Sequence, residues 1–284
     1  MKISEILKEA TEVLQASGII EPRREANSLL AFALEKDRTF LIAHSKYELS
    51  DDENSYFNKL LKRRANREPF QYIVGKQEFY GLDFLVSPDV LIPRPETELI
   101  VEAAVQILRE TENPRFCEVG VGSGCISISI LHANQSAFAL GADISAKALD
   151  VARKNAENHS VSERLELKIS DIFAEIKTEK FDLIVSNPPY IDAGDFADLQ
   201  REVRDFEPRA ALTDNKDGFS IIKKIVADAP NFLKPNGFLL MEIGFTQSDK
   251  VAKIFSPYIW QTVEFLSDLQ KIPRTVKAGL SKRR

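Results

Sequence analysis

Phe116-Cys117-Glu118-Val119-Gly120-Val121-Gly122-Ser123-Gly124-Cys125 is the stretch on which the fold turns. Its first four residues read as a buried strand and the next five as a tight glycine loop, and Cys125 to Leu131 reads as a helix start. Glycines let backbone come close to a ligand, and the beginning of a helix offers free N–H groups. A second strand, Ala137 to Ala142, ends in Asp143, 19 residues after Gly124, where a carboxylate is placed for a ribose diol. A dinucleotide fingerprint asks for Gly or Ala where this chain has Cys125. The Gly-x-Gly-x-Gly spacing therefore favours a nucleoside that lacks a pyrophosphate.

Further along, the apolar run Phe181 to Val185 stops at Asn187-Pro188-Pro189-Tyr190. Each proline fixes its own φ and removes a donor, so one polar side chain and rigid carbonyls converge on a single spot. An acceptor cluster beside an aromatic ring suits a planar group bearing NH2, either a carboxamide or an adenine amine. A turn closing a buried strand would use the same prolines. The order of glycine loop, Asp143 and Asn-Pro-Pro-Tyr corner on successive strands favours a site.

Outward from these motifs, strands are expected at 137–142, 165–169, 181–186 and 237–243, with helical segments between them and a helix from Pro95 to Arg109 ahead of the first. Trp260 to Phe265 and Ile272 to Lys277 read as a closing pair. Such alternation implies an α/β unit with a parallel sheet covered on both faces, whose ligand lies beyond the carboxyl ends of the strands. The loop from Ile191 to Gly218 is long for a compact domain and reads as a functional lid or binding loop.

The first 75 residues have a different pattern. Ile3, Ile6, Leu7, Ala10, Val13 and Leu14 keep helical spacing up to Gly18; Pro22 opens a second helix; Ser50-Asp51-Asp52-Glu53 is a capping box for a third. Glu78 to Val86, centred on Gly81, alternates like a short hairpin. The division expected is a helical domain over 1–75, a hairpin linker over 76–92 and a catalytic domain over 93–284.

The chain has 284 residues and a net charge of −5, which argues against a nucleic-acid enzyme. Residues 1–80 balance 13 basic against 13 acidic side chains, leaving 25 against 30 in the catalytic part. Lys59, Lys62, Arg63, Arg64 and Arg67 form a basic run that reads as a solvated helix face. Cys117 and Cys125 read as small buried thiols without metal-ligand spacing, so no metal is expected. No run nears the roughly 18 apolar residues of a membrane span, and the first residues lack a signal-peptide pattern; a cytoplasmic protein is expected.

With these residues in place the sequence resembles class I S-adenosylmethionine-dependent methyltransferases that modify amide or amino nitrogens. Leu91-Ile92-Pro93-Arg94-Pro95-Glu96-Thr97-Glu98 and Phe206-Glu207-Pro208-Arg209-Ala210-Ala211-Leu212 narrow the resemblance to the release factor glutamine methyltransferases, over nearly the whole chain. The resemblance implies a Rossmann-like sheet with a small all-α N-terminal domain that helps hold a protein substrate. It implies S-adenosyl-L-methionine as cofactor, held by Glu118, Gly120, Val121, Gly122, Ser123, Gly124, Asp143, Asp171 and Ile172, with Asn187 at its methyl end. Glu118 stands where the family usually carries Asp, and the longer carboxylate still reaches the methionine end. Asn187, Pro188, Pro189 and Tyr190 would grip a glutamine amide of a peptide chain release factor, with Arg94 and Glu207 beside it. Methylation of a ribosomal-protein glutamine, or of the N6 nitrogen of a DNA or RNA adenine, would use the same corner.

Overall fold

The computed structural model describes residues 1–177 and 179–280, which fall into two compact units: Met1–Gly75 with Gln200–Phe206, and Lys76–Leu199 with the chain from Glu207 onward. The first unit contains helices α1 (Ile3–Ala16), α2 (Pro22–Ala33), α3 (Arg38–Ala43), α4 (Asp51–Ala65) and α5 (Phe70–Val74). Their apolar stripes meet in a core built on Ile3, Leu14, Leu29, Leu30 and Phe57. The capping box forms as expected: Ser50 Oγ accepts from Glu53 N at 3.2 Å, and Glu53 Oε2 accepts from Ser50 N at 2.8 Å. Helices α3 and α5 are too short to leave a periodic signature. What starts α3 is its cap, Asp37 accepting from Phe40 N at 2.7 Å.

The basic run on α4 differs from expectation. Lys59, Lys62 and Arg63 are exposed, but Arg64 is buried, and its guanidinium pairs with Glu25 and, at 3.1 Å, with Glu202. Arg67 reaches the other oxygen of Glu202 at 2.7 Å. Glu202 lies in the segment 200–206, so part of the long loop joins the helical unit through charge, a pairing 138 residues apart that local sequence does not announce. Burial pushes the Glu202 carboxyl up, but bonds from its backbone, Arg67 and Arg64 outweigh this and hold it below the usual range.

In the second unit a hairpin comes first, β1 (Lys76–Phe79) against β2 (Leu82–Leu85), and Tyr80 and Gly81 both take positive φ, as a type I′ turn demands. Helix α6 (Glu98–Leu108) precedes a sheet of β3 (Arg115–Val119), β4 (Phe138–Asp143), β5 (Leu165–Ile169), β6 (Phe181–Ser186), β7 (Leu233–Glu242), β8 (Trp260–Ser267) and β9 (Pro273–Leu280). Strand order is β5-β4-β3-β6-β7-β9-β8, with the first five parallel and the closing pair antiparallel. Helices α7 (Cys125–Ala133), α8 (Ala146–Asn158), α9 (Arg201–Phe206), α10 (Arg209–Leu212), α11 (Ser220–Asp228) and α12 (Ser248–Ala252) complete the chain, α9 lying in the helical unit's segment. Side chains alternate across the sheet: Phe116 packs with α6 and α7, whereas Cys117 and Val119 pack with α11 and α12.

Strand β7 begins four residues before the expected 237, because Leu233 pairs with Phe181 and the register then jumps to Phe238 opposite Leu183. Asn236, at φ +63, turns the extra residues out of the ladder. The sheet reverses order at β3, which pairs with β4 on one side and β6 on the other, so the glycine loop and the Asn187 corner leave adjacent strand ends. The long loop is not structureless; it holds a 3₁₀ turn over Asp195–Asp198 as well as α9 and α10. Among the described residues no helix is long and apolar enough to cross a membrane.

Arg64→Ala should lower the unfolding free energy by about 3 to 5 kcal/mol, because it leaves Glu25 and Glu202 without their shared buried cation. Denaturant titration checks this; a loss under about 1 kcal/mol, the scale of an exposed pair, would mean the network is merely superficial.

Candidate active site

The ends of β3, β4, β5 and β6 open into one cavity of about 400 Å³, lined wholly by the second unit. The glycine loop enters it as a nearly self-satisfied turn. Gly120 N and Val121 N both donate to Ala142 O at 2.8 and 3.0 Å, and Gly124 N donates to Val121 O at 2.8 Å. Gly122 N donates to Asp143 Oδ2 at 2.9 Å. The N–H groups expected to be free for a ligand are therefore largely occupied. What the glycines supply is shape: Gly124 takes φ +82, and a Cβ there would press on Ile128 at 2.9 Å and on Ala152 of α8. Gly124 itself does not line the cavity, whereas Gly120, Val121, Gly122 and Ser123 do.

Glu118 lines the cavity and is 1 % exposed. One oxygen accepts both the backbone N–H of Ser127, at 2.9 Å, and the Ser127 hydroxyl, so a carboxylate already serves the first turn of α7. A pyrophosphate at that helix start would meet this acid, which agrees with the missing dinucleotide fingerprint. Burial pushes the Glu118 carboxyl up to about 8 against the Ser127 bonds that lower it, with Asp143 adding repulsion. Among the described residues no Lys or Arg pairs with it. A buried carboxylate without a cation fits a ligand that brings positive charge.

Asp143 ends β4 with each oxygen taking one backbone N–H, from Gly122 and Ser145, both at 2.9 Å, which aims its remaining lone pairs at the cavity. Burial raises its pKa against those bonds. Asp171 is more exposed and pairs with Lys224 at 3.0 Å. Ile172 holds φ +57, a left-handed conformation that costs a β-branched residue about 1 to 3 kcal/mol and marks functional sites. Ile144 and Ile172 supply apolar walls for a flat ring. Carboxylates for a diol and a cation, with apolar walls between, fit S-adenosylmethionine.

Asn187, Pro188 and Pro189 line the cavity, as do Arg94 and Thr97. Asn187 Nδ2 donates to Thr97 Oγ1 at 3.2 Å, which turns the amide oxygen away from Thr97. Tyr190 departs from expectation: it does not line the cavity, and its hydroxyl reaches back to Glu242 Oε1 at 3.2 Å. Burial and the Glu242 charge push that phenol well above the usual range. Gly218, at φ +73, has room only for hydrogen beside the Tyr190 carbonyl, and Gln247 Nε2 donates to the same oxygen at 2.9 Å.

Glu207, expected at the substrate, likewise does not line the cavity. Its side chain is 1 % exposed, one oxygen holding the Arg94 guanidinium and the other accepting from Ile92 N at 3.1 Å. It shapes the wall and leaves Arg94 to face the cavity. Sequence reasoning passed over two residues. Asn155 of α8 accepts from Leu85 N at 2.7 Å and donates to Leu85 O and Ser123 O at 3.0 and 2.9 Å, tying hairpin to glycine loop. Its place on the apolar stripe Ala148, Leu149, Ala152, Ala156 was the available signal. Glu242, a lone acid in the run Phe238 to Ile243, was the other. The two cysteines are buried, and burial keeps both thiols protonated, Cys125 up to about 12.

Residues 5–75 match the family model described as the PrmC N-terminal domain, and residues 97–203 match the Methyltransferase small domain. A release factor glutamine methyltransferase of Koribacter versatilis is 39% identical over 277 residues, covering 97% of this chain and 98% of that protein. One from Geobacter sulfurreducens is 41% identical over 254 residues, 89% of this chain and 88% of the other. A solved methyltransferase from Pyrococcus furiosus aligns at 16% identity with a TM-score of 0.53 over 72% of this chain and 91% of that one, which bears on fold alone. The sheet order is Rossmann-like, and the family model and relatives make the chain an S-adenosylmethionine-dependent methyltransferase. Within that class the chain belongs to the release factor glutamine methyltransferase family.

Two outcomes test the cofactor end. Asp143→Ala should weaken S-adenosylmethionine about ten- to hundredfold in calorimetric titration, the worth of a charged hydrogen bond at a hydroxyl; wild-type affinity would take Asp143 out of the site. Because the folded protein holds the Glu118 proton up to about 8 against an ordinary 4.5, its contribution to stability is full below 4.5 and lost as pH rises toward 8. The melting temperature of ligand-free protein should fall over that window more steeply than in Glu118→Gln. Parallel curves would show that Glu118 does not titrate there.

Proposed function

We propose that this protein transfers a methyl group from S-adenosylmethionine to the side-chain amide nitrogen of the glutamine in the Gly-Gly-Gln motif of peptide chain release factors. The observation that carries the reading is the Asn187 amide, held by its nitrogen so that its oxygen and the adjoining prolyl segment present only acceptors in the wall of a cofactor-sized cavity. Near full-length similarity to proteins named release factor glutamine methyltransferase supplies the substrate class.

Bound S-adenosylmethionine supplies an electrophilic methyl carbon on a positively charged sulfur. Glu118 would sit toward its charged methionine end, Asp143 would take the ribose hydroxyls, and Asp171 with Ile172 would border the adenine. A glutamine amide nitrogen is a weak nucleophile because its lone pair is delocalised into the carbonyl. Accepting its two N–H bonds, at Asn187 Oδ1 and the Pro188 carbonyl, fixes the nitrogen and leaves more density on it. A new N–C bond forms as the C–S bond breaks, and one amide proton passes to solvent. Orientation and preorganised acceptors provide most of the rate. Arg94 forms the wall through which the flanking glycines enter, steadied by Glu207.

The same corner accommodates an adenine amine, but the acidic balance of the catalytic part favours a protein over a nucleic acid. Acting on release factors places the enzyme in the cytoplasm. Mass spectrometry of a release factor incubated with the protein and S-adenosylmethionine should find one added methyl group on that glutamine and none when it is replaced by Glu. Asn187→Ala should lower kcat by roughly two to three orders of magnitude, the effect of losing one preorganised polar group, with cofactor affinity within a few fold. Methyl transfer to DNA or to a ribosomal protein instead would replace this reading with one of its rivals.

A further inference from the structure

Glu242 is the last residue of β7 and lies 3 % exposed beneath the Asn187 corner. Among the described residues it has no Lys or Arg partner, which is costly for a buried acid unless its oxygens are engaged otherwise. They are engaged by two hydroxyls, Oε2 accepting from Thr97 Oγ1 at 2.6 Å and Oε1 from Tyr190 OH at 3.2 Å, and the Asn187 amide also donates to the carboxylate. Both hydroxyls belong to segments that build the corner.

The direction of these bonds matters more than their number. A carboxylate only accepts, and Thr97 has a single hydroxyl proton. Having donated it to Glu242, Thr97 has only lone pairs left for Asn187, at 3.2 Å. Only the NH2 end of the Asn187 amide satisfies those lone pairs. Were a donor to stand in place of Glu242, Thr97 could point its proton at Asn187, and the amide would gain by rotating its oxygen inward, away from the substrate.

We propose that Glu242, acting through Thr97 and through its own bond to the Asn187 amide, is the positioning residue that decides which end of that amide faces the substrate. The proposal rests on the acceptor role given to Asn187 above. Through Tyr190 the same carboxylate also holds the far side of the Pro188-Pro189 segment. Burial raises the Glu242 pKa, while bonds from Thr97, Tyr190 and Asn187 oppose the rise and the Glu96 charge adds to it, so the surroundings that favour the charged form are the corner's own groups.

The test is single-turnover methylation of a release factor by the full-length protein, read by mass spectrometry, for Thr97→Val, Thr97→Ser and Glu242→Gln, each alone and combined with Asn187→Ala. Thr97→Val and Glu242→Gln should slow transfer about tenfold, the worth of one charge-assisted hydrogen bond, with the KM for release factor and the calorimetric cofactor affinity within about twofold. Thr97→Ser, which keeps the hydroxyl, should stay within about threefold of wild type. In the Asn187→Ala background neither substitution should matter by more than about twofold, because the group they orient is gone. Wild-type rates in the single variants, or tenfold losses that persist without the Asn187 amide, would overturn the proposal. Glu242→Gln preserves volume and carries the test if Thr97→Val fails to fold. A wild-type protein that binds S-adenosylmethionine yet leaves release factor unmethylated would instead refute the function on which the proposal rests.

Discussion

Ser186 donates its hydroxyl to the carbonyl of Val119 at 2.7 Å and so ties the ends of β6 and β3 together at the point where strand order reverses. Everything the site does depends on those two ends being adjacent. One continues into the glycine loop, the other into Asn187 and its prolines, the motifs of the proposed cofactor and substrate ends. The parallel part of the sheet delivers this because its five strands end on the same side, and its helices keep the strand interiors dry while leaving the carboxyl ends open.

Two buried acids serve the site, Glu118 lining the cavity and Glu242 bonded to the segments of the Asn187 corner. Among the described residues Glu118 bonds to Ser127, and Glu242 bonds to Thr97 and Tyr190. For each, burial is the largest influence on the carboxyl, and it raises the pKa. Neither is explained as a stabilising pair, since no cation meets it among the described residues. Their value is directional. In the proposed reaction Glu118 lies toward a ligand whose positive charge would favour its ionised form, and Glu242 forces a chain of hydroxyl and amide bonds to run one way. The strain at Ile172 and the contact of Gly218 with the Tyr190 carbonyl belong to the same picture, in which packing holds local conformations that isolated segments would avoid.

The strands were legible because each is a short apolar run bounded by turn residues, and the helical part because its caps and spacing are local features. Helices α3 and α5, and the helices inside the long loop, were not, being too short for a period to register. Asp143, the glycine loop and Asn187 could be found because a motif places them at strand ends. Tyr190 and Glu207 were expected at the substrate from the family resemblance, and their side chains bond to Glu242 and to Arg94 and Ile92. The basic run on α4 reads as solvated for as long as Glu25 and Glu202 are out of view.

What the amino-acid sequence determined by itself is therefore the order of elements, the family, and the residues whose chemistry is set by neighbours in the chain: glycines in a turn, prolines that stiffen a corner, an acid at a strand end. What only the tertiary structure decided is which polar groups spend their hydrogen bonds on one another. Thr97, Asn187 and Glu242 span 145 residues, and nothing local relates them. A side chain's donors and acceptors are fixed by its type, but whether they face a ligand or a buried partner depends on which strand end folding brings alongside.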